Sequence, residues 1–374
     1  MKKLLAAIIL MTSVMAWADA IKDGLAAYEK KDYTTALKKF TPLANQGNAR
    51  AQLALGLMHY NGQGVVQDYK QALRWYMLSA EQGNAGAQLA LGAMFEVGQG
   101  VVQDYKQAVL WYTLSAVQGN ATAQYSLGLM HYNGQGVVQD YEIALVWYRM
   151  SAEQGNASAQ LALGVMYRNG RGVVQDEKQA LRLYMLSAEQ GNANAQYNLG
   201  LMYEYGRGIV QDYKQALRWY MLSAEQGNAS AQLNLGKMFE VGQGVVQDYK
   251  QAVLWYTLSA VQGNALAQRN LGLMYNNGQG VVQDYKEALR WYMLSAEQGD
   301  AGAQLNLGVM HYNGQGVLQD YVKAHMWFNI AAANGDTNGP NNRDIAAYKM
   351  TTQQIERAQQ MARDCKARNY KRCN

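Results

Sequence analysis

The apolar residues that follow Asn48 have the spacing of an amphipathic α-helix. Ala51, Leu55, Met58 and His59 lie on one face of such a helix, at positions i, i+4, i+7 and i+8. Asn48 is placed to cap the first turn, because its side-chain oxygen can accept a hydrogen bond from a free backbone N–H. The pattern predicts a first helix, helix A, that ends at a loop containing two glycines.

A second helical pattern begins at Asp68, after the loop at residues 61–64. Asp68 and Gln71 have the three-residue spacing of a capping box. The predicted buried face of this helix, helix B, consists of Ala72, Trp75, Tyr76, Ser79 and Ala80. Gly83 is expected to end helix B, because glycine readily adopts the left-handed backbone found just beyond a helix C terminus.

This pair of helices is repeated every 36 residues. A Gly-Asn or Gly-Asp dipeptide marks each step from Gly47 to Gly335, without insertion or deletion. The sequence predicts eight units over residues 47–334, a degenerate unit or cap at residues 19–46, and capping helices at residues 335–374. Since one unit is too small to bury its apolar face alone, the units are expected to stack into a continuous core.

Gly56 stands inside helix A, and all eight units have a glycine at this position. A glycine within a helix costs about 1 kcal/mol relative to alanine. A cost repeated in every unit suggests a close approach between helices, and we expect Ala72 and Ala80 of helix B to face this glycine.

The repeated motif reads Ala51-Gln52-x-x-Leu55-Gly56-x-Met58, Gly62-x-Gly64-Val65-x-x-Asp68-Tyr69 and Ala72-Leu73-x-Trp75-Tyr76-x-x-Ser79-Ala80-x-x-Gly83. It resembles the Sel1-like repeat, a relative of the tetratricopeptide repeat with a longer loop between its helices. The resemblance implies an all-α fold, a right-handed α-solenoid of stacked antiparallel helix pairs. It also implies a scaffold or adaptor that binds protein or peptide partners.

The N-terminus predicts export. Lys2 and Lys3 precede an apolar run, Leu4–Met15, that is too short for a typical membrane span. Small residues then favour cleavage after Ala18, with Ala20 as the alternative, so residues 1–18 are predicted to be a signal peptide. We expect a monomeric protein without a membrane span, either periplasmic or secreted.

Composition and motifs argue against several other functions. A formal net charge of +5 over 374 residues is too small to indicate nucleic-acid binding. The Gly-x-Gly loops follow a helix, whereas a dinucleotide-binding loop follows a strand. His59, His131 and His311 occupy one position in non-adjacent units and are expected to be core residues, with His325 alone on the last helix B. We predict no catalytic, cofactor or metal site and no enzymatic activity.

Two alternative functions remain open at this point. A cysteine-rich branch of the family is associated with β-lactam binding, but this chain has no cysteine within its repeats. The tryptophans equivalent to Trp75 could stack on cell-wall glycans if they were exposed, although their place on helix B favours packing between helices. Leu183 stands where other units have this tryptophan and supports the packing interpretation.

Cys365 and Cys373 are the only cysteines. An exported protein with an even cysteine count favours a disulfide between them. Two cysteines eight residues apart cannot pair along one straight helix. The chain is therefore expected to turn between them, near residues 368–370.

Several positions of helix A differ between units, as expected for residues that contact a partner. By similarity to tetratricopeptide repeats, they would line a concave groove for an extended peptide or a helix. Three rows supply the candidate site: Leu53, Leu57, Tyr60, Leu89, Glu96, Tyr125, Tyr132, Leu161, Arg168, Tyr197, Glu204, Lys237, Glu240, Arg269, Asn276 and Tyr312. In the alternative, the Leu53 and Leu57 rows pack against neighbouring units and only the Tyr60 row is exposed.

Overall fold

The computed structural model describes residues 19–373, and every regular element in that part of the chain is an α-helix. Residues 1–18, with the predicted signal peptide, lie outside it. The helices are α1 (19–29), α2 (Tyr33–Asn45), α3 (Ala49–Asn61), α4 (Tyr69–Glu81), α5 (Ala85–Val97), α6 (Tyr105–Ala116), α7 (Ala121–Asn133), α8 (Tyr141–Glu153), α9 (Ala157–Asn169), α10 (Glu177–Glu189), α11 (Ala193–Tyr205), α12 (Tyr213–Glu225), α13 (Ala229–Val241), α14 (Tyr249–Val261), α15 (Ala265–Asn277), α16 (Tyr285–Ala296), α17 (Ala301–Asn313), α18 (Tyr321–Ala333), α19 (Gly339–Ala347) and α20 (Thr352–Ala367).

The helix ends confirm Asn48 and Asp68 as N-caps, but the predicted capping box does not form, because the N–H of Asp68 donates to the carbonyl of His59. The Asn48 side chain accepts a hydrogen bond from the N–H of Ala51 at 3.0 Å. The Asp68 carboxylate accepts from the N–H groups of Lys70 and Gln71. Gly62 ends helix A in the left-handed conformation, with φ of 68°. Local chemistry therefore fixes both boundaries of each helix, and the spacing of the apolar residues decides which face is buried.

A ladder of polar contacts connects the helices within a unit and between units. The Ser79 hydroxyl donates to the carbonyl of Ala49 at 2.7 Å, so the end of α4 lies beside the start of α3 and the two helices are antiparallel. The buried Gln52 amide donates to the carbonyl of Ala44, in the preceding helix pair, and accepts from Gln82 at 2.7 Å. The ladder satisfies polar groups that would otherwise be costly to bury.

The core lies mainly between helix B of one unit and helix A of the next. In one cluster, the buried residues are Ala72, Tyr76 and Ala80 from α4 and Ala87, Leu91 and Met94 from α5. Trp75 was predicted to be buried but is only half-buried, packed against the cluster formed by α1, α2 and α3. Leu183 packs in the same way in its unit, which supports a packing role for this position.

The close approach predicted at Gly56 is present, but the nearest neighbour is Tyr76 rather than Ala72 or Ala80. A Cβ atom at Gly56 would lie 2.4 Å from the ring of Tyr76, a residue of α4. The helices approach closely because the tyrosine ring occupies the space that a side chain at this position would fill. Ala72 and Ala80 are buried one turn to either side of that ring and belong to the core shared with α5.

The Gly-x-Gly loops have a structural role, and their two glycines are required for different reasons. The first permits the left-handed helix end. The second lies against the start of the preceding helix B: a Cβ atom at Gly100 would be 2.7 Å from the carbonyl oxygen of Tyr69. Close backbone packing of this kind requires glycine.

Two further helices follow the last helix pair. In α19 and α20, Ala346, Ala358 and Ala362 are buried. Cys365 and Cys373 form the predicted disulfide, with their Cα atoms 5.2 Å apart. The turn falls where the sequence placed it, because α20 ends at Ala367 and both Asn369 and Tyr370 have positive φ.

The chain divides into two compact halves, with the boundary between Ser187 and Ala188. In each of them, successive helix pairs stack through the contacts described above, which is the arrangement of an all-α solenoid. Among the described helices, none is both long and apolar enough to cross a membrane.

Candidate functional site

An apolar recess of about 360 Å³ lies at the first helix A, between α1 and α3. Two of its lining residues, Leu53 and Leu57, belong to the rows predicted from the sequence. The complete lining is Ile21, Leu25, Tyr28, Phe40, Arg50, Leu53, Ala54, Leu57 and Asn84. Leu25 and Leu57 are 48% and 39% exposed, so apolar surface at the opening is accessible to a partner.

Helix spacing brings the lining residues together. Ile21, Leu25 and Tyr28 recur at i, i+4 and i+7 on α1, and Leu53 and Leu57 are four residues apart on α3. The recess therefore lies between one apolar face of α1 and one apolar face of α3.

Close packing at Gly24 fixes the position of α1. A Cβ atom at Gly24 would lie 2.5 Å from the ring of Phe40, so α1 can rest directly on α2. The floor of the recess is thus held by packing, while its rim stays open.

The Leu53 row is largely engaged in packing, as the alternative interpretation proposed, but that interpretation is wrong for Leu57, which is exposed, and for the Tyr60 row, which is half-buried. Leu53 packs against the core cluster of α4 and α5, and Leu233 is 5% exposed. The other predicted members of the row, Leu89, Tyr125, Leu161, Tyr197 and Arg269, are half-buried. Leu57 and Lys237, from the second row, are exposed. Of these two rows, the second therefore offers more surface to a partner.

The Tyr60 row is half-buried, and its members contact neighbouring side chains. The members are Tyr60, Glu96, Tyr132, Arg168, Glu204, Glu240, Asn276 and Tyr312. The Tyr60 ring packs edge-on against Tyr69 at 5.2 Å, and its hydroxyl donates to Gln99 of the next unit.

Where this row has glutamate, the side chain pairs with the core. The buried Tyr112 hydroxyl donates to Glu96 at 2.5 Å, and Glu204 and Glu240 accept in the same way from Tyr220 and Tyr256. Burial, and then the hydrogen bond to Glu96, raise the pKa of Tyr112. These contacts give a structural reason for the variation in the row, besides partner binding.

Aromatic and cationic side chains meet around Tyr132. Its ring lies 5.1 Å from that of Tyr141, and the guanidinium carbon of Arg171 lies 5.7 Å from the Tyr132 ring centre. Arg171 also donates to the Tyr132 hydroxyl. Farther along the chain, Arg269 is paired at 3.2 Å with Asp300. Several predicted groove residues therefore already have polar partners within the protein.

Sequence analysis missed the contribution of the first two helices to the recess. Ile21, Leu25, Tyr28 and Phe40 precede the regular repeats and were assigned to a cap. The i, i+4, i+7 spacing of Ile21, Leu25 and Tyr28 could have indicated an apolar helix face. The candidate residues, however, were chosen by comparing the repeats with one another, and these residues lie outside the repeats.

The Sel1 repeat family model matches residues 49–84, 85–120, 121–156, 157–192, 193–228, 229–264, 265–300 and 301–336. The chain belongs to the Sel1 repeat family. Each matched repeat begins two residues later than the corresponding unit counted from Gly47. Sel1 repeat solenoids typically mediate protein–protein interactions and are generally scaffolds rather than enzymes.

Solved structures of Sel1 repeat proteins resemble the chain. A Sel1 repeat protein from Oxalobacter formigenes is 36% identical, with a TM-score of 0.60, over 82% of this chain and 88% of that one. A protective antigen of uropathogenic Escherichia coli is 33% identical, with a TM-score of 0.44, over 97% and 96%. An immunity protein of Pseudomonas aeruginosa is 22% identical, with a TM-score of 0.38, over 57% and 81%. A comparison with curated proteins finds no match.

The histidines of the Sel1 repeats are core residues. His59 and His131 are half-buried, while His311 and His325 are buried. Among residues 19–373, no three or more His, Cys, Asp or Glu side chains are grouped to hold a metal ion. Burial, together with the nearby positive charge of Lys323, lowers the pKa of His311 to about 4, although Asp320 opposes the shift.

We expect the protein to lose stability as the pH falls from about 6.5 to about 4. The ordinary pKa of histidine is 6.5, so unfolded His311 takes up a proton that the folded state resists. The stabilisation is complete above pH 6.5, and at most about 3 kcal/mol is lost by pH 4. His311→Phe should flatten this dependence in thermal melts at several pH values. Phe95 and Phe239 occupy the same position in other units, so the substitution suits the repeat. An unchanged pH slope would contradict this assignment.

Proposed function

We propose that the protein is an interaction scaffold that binds a segment of a partner protein along helix A, with the recess at α1 and α3 as its apolar anchor. The observation that carries this proposal is the exposed apolar rim formed by Leu25 and Leu57. Contiguous apolar surface is uncommon on a folded protein, and a concave apolar site with few polar groups is the common form of a binding pocket.

The chemistry of the recess favours a peptide with one or two apolar side chains. Its volume of about 360 Å³ accommodates side chains of that size. Arg50 and Asn84 are the polar groups of the lining and can orient the peptide backbone by hydrogen bonds.

The proposal includes export of the protein as a monomer. The basic start, the apolar run and the small residues before Asp19 support residues 1–18 as a cleaved signal peptide. The disulfide between Cys365 and Cys373 is consistent with an oxidising compartment such as the periplasm or the extracellular medium.

Photo-crosslinking in cells tests the anchor. A photoreactive amino acid placed at position 25 or 57 should crosslink to one short segment of a partner, identified by mass spectrometry. Affinity for that purified partner should then fall by more than about tenfold in Leu57→Glu. Covering an apolar side chain of this size contributes about 1.5–3 kcal/mol, and about 1.4 kcal/mol is a factor of ten.

Leu222→Glu is the matched control. Leu222 is 37% exposed, close to the value for Leu57, but it lies on a helix B and outside the recess. Both variants should melt like the unchanged protein. Equal losses of affinity in the two variants, or equal crosslinking at positions 57 and 222, would show that the partner does not use the recess.

A further inference from the structure

A second recess, of about 350 Å³, lies between α18, α19 and α20, and its chemistry differs from that of the first. Arg343, Arg363 and Lys366 line it, together with the apolar Ile330 and Ala362. The residues that line this recess include no carboxylate.

The charge of the chain is concentrated here. Residues 352–373 contain six Lys and Arg and two Asp and Glu residues, a formal net charge of +4, compared with +5 for the whole chain. The repeats themselves are therefore close to neutral, and this part of the protein attracts anions.

The three cations are only partly neutralised. Arg343 is paired with Asp344 at 2.8 Å. Arg363 donates to the amide oxygen of Gln360, which is uncharged. The side chain of Lys366 has no hydrogen-bond or ion-pair partner among residues 19–373. Lys366 lies in the last turn of α20, where the negative end of the helix dipole favours a cation. The dipole of α20 does not account for Arg343, because Arg343 belongs to another helix.

The wall of the recess is rigid. The Tyr370 hydroxyl donates to Asn334 at 2.8 Å, and the Tyr370 ring packs against the core that includes both disulfide cysteines. The disulfide at Cys365 and Cys373 closes the turn that carries Tyr370. A preformed site loses little conformational entropy on binding.

We propose that this recess binds an acidic peptide segment of a protein, with carboxylates on Arg363 and Lys366 and an apolar side chain on Ile330 and Ala362. Guanidinium and ammonium groups form strong hydrogen bonds with carboxylates. A concave recess that combines cations with the apolar Ile330 and Ala362 suits a peptide better than a flat anionic surface such as a membrane. The site is separate from the apolar recess at α1 and α3, so either proposal can fail alone.

The test uses the full chain and a labelled peptide that has glutamates on both sides of a leucine. Fluorescence anisotropy should show binding at least about tenfold tighter than for the same peptide with glutamine at each glutamate, since hydrogen bonds between charged groups are stronger than those to a neutral amide. Arg363→Glu with Lys366→Glu should abolish that preference, and added salt should weaken binding.

The control is Lys349→Glu with Arg357→Glu, which makes the same change in net charge at exposed residues outside the recess. It should bind within about twofold of the unchanged protein, allowing for screening of exposed charges. Melting temperatures check that both variants fold. Equal binding of the two peptides, equal losses in the two double variants, or preferential binding of phosphatidylglycerol vesicles that requires Arg363 and Lys366 would overturn the proposal.

Discussion

Deleting residues 85–120, one complete repeat, should leave a folded helical protein. The deletion joins Asn84 to Ala121, and Asn84 then caps α7 as Asn120 does in the intact chain. Gln124, which donates to the carbonyl of Ala116, would reach the equivalent carbonyl of Ala80. Because each repeat presents the same contacts to its neighbours, the new interface resembles the two that it replaces.

Deleting residues 85–102 should have a much larger effect, although only half as many residues are lost. This deletion removes α5 and places helix B of one unit directly after helix B of another. Ala72 and Tyr76 would lose the buried Leu91 and Met94 that cover them. Each such loss in a core costs about 2–5 kcal/mol, so the expected total for the two residues is at least about 4 kcal/mol.

Circular dichroism and thermal melts distinguish the two deletions. The whole-repeat variant should lose helical signal in proportion to its length and still melt cooperatively. The half-repeat variant should lose more signal than its missing residues explain and expose apolar surface that binds a hydrophobic dye. Similar melting curves for the two variants would mean that the repeat is not the unit of folding.

Much of the fold could be predicted because it rests on local chemistry. Asn48 and Asp68 mark helix starts by capping, and Gly62 and Gly83 mark helix ends by their backbone conformation. Each of these signals is weak in one repeat but recurs at the same position in the others, and the recurrence makes it recognisable. The turn before Cys373 was predictable for a similar reason, since a disulfide between these cysteines excludes a straight helix.

The sites were less predictable because they depend on contacts between distant residues. Variation between repeats identified Glu96 as a candidate for partner binding, yet its carboxylate accepts a hydrogen bond from the buried Tyr112. A position can therefore vary between repeats because its contacts within the protein differ, and not only because it binds a partner. The two recesses involve α1 and α20, which lie outside the repeats, where comparison between units carries no information.

Gly92→Ala should destabilise the protein by about 2 kcal/mol, although alanine is the better helix former. In an open helix, this substitution would gain about 1 kcal/mol. Here the new Cβ atom would lie 2.4 Å from the ring of Tyr112, whose hydroxyl is fixed by Glu96. The ring cannot move aside without breaking that hydrogen bond, so α5 and α6 must separate, and overpacking of this kind typically costs about 1–3 kcal/mol.

The same helix supplies the control. Gly86 also lies in α5, but a Cβ atom there would be 3.1 Å from Cδ2 of Leu53, the end of a side chain that can rotate. Gly86→Ala should therefore leave stability unchanged or raise it by up to about 1 kcal/mol, as alanine does in an open helix. Adding Tyr112→Leu to Gly92→Ala should lower stability by less than the sum of the single effects, because the smaller side chain relieves the clash. Chemical denaturation of the four variants measures both comparisons. If Gly92→Ala proved as stable as Gly86→Ala, or if the double variant were strictly additive, the glycine would not be present to admit the tyrosine ring, and its occurrence in all eight repeats would need another cause.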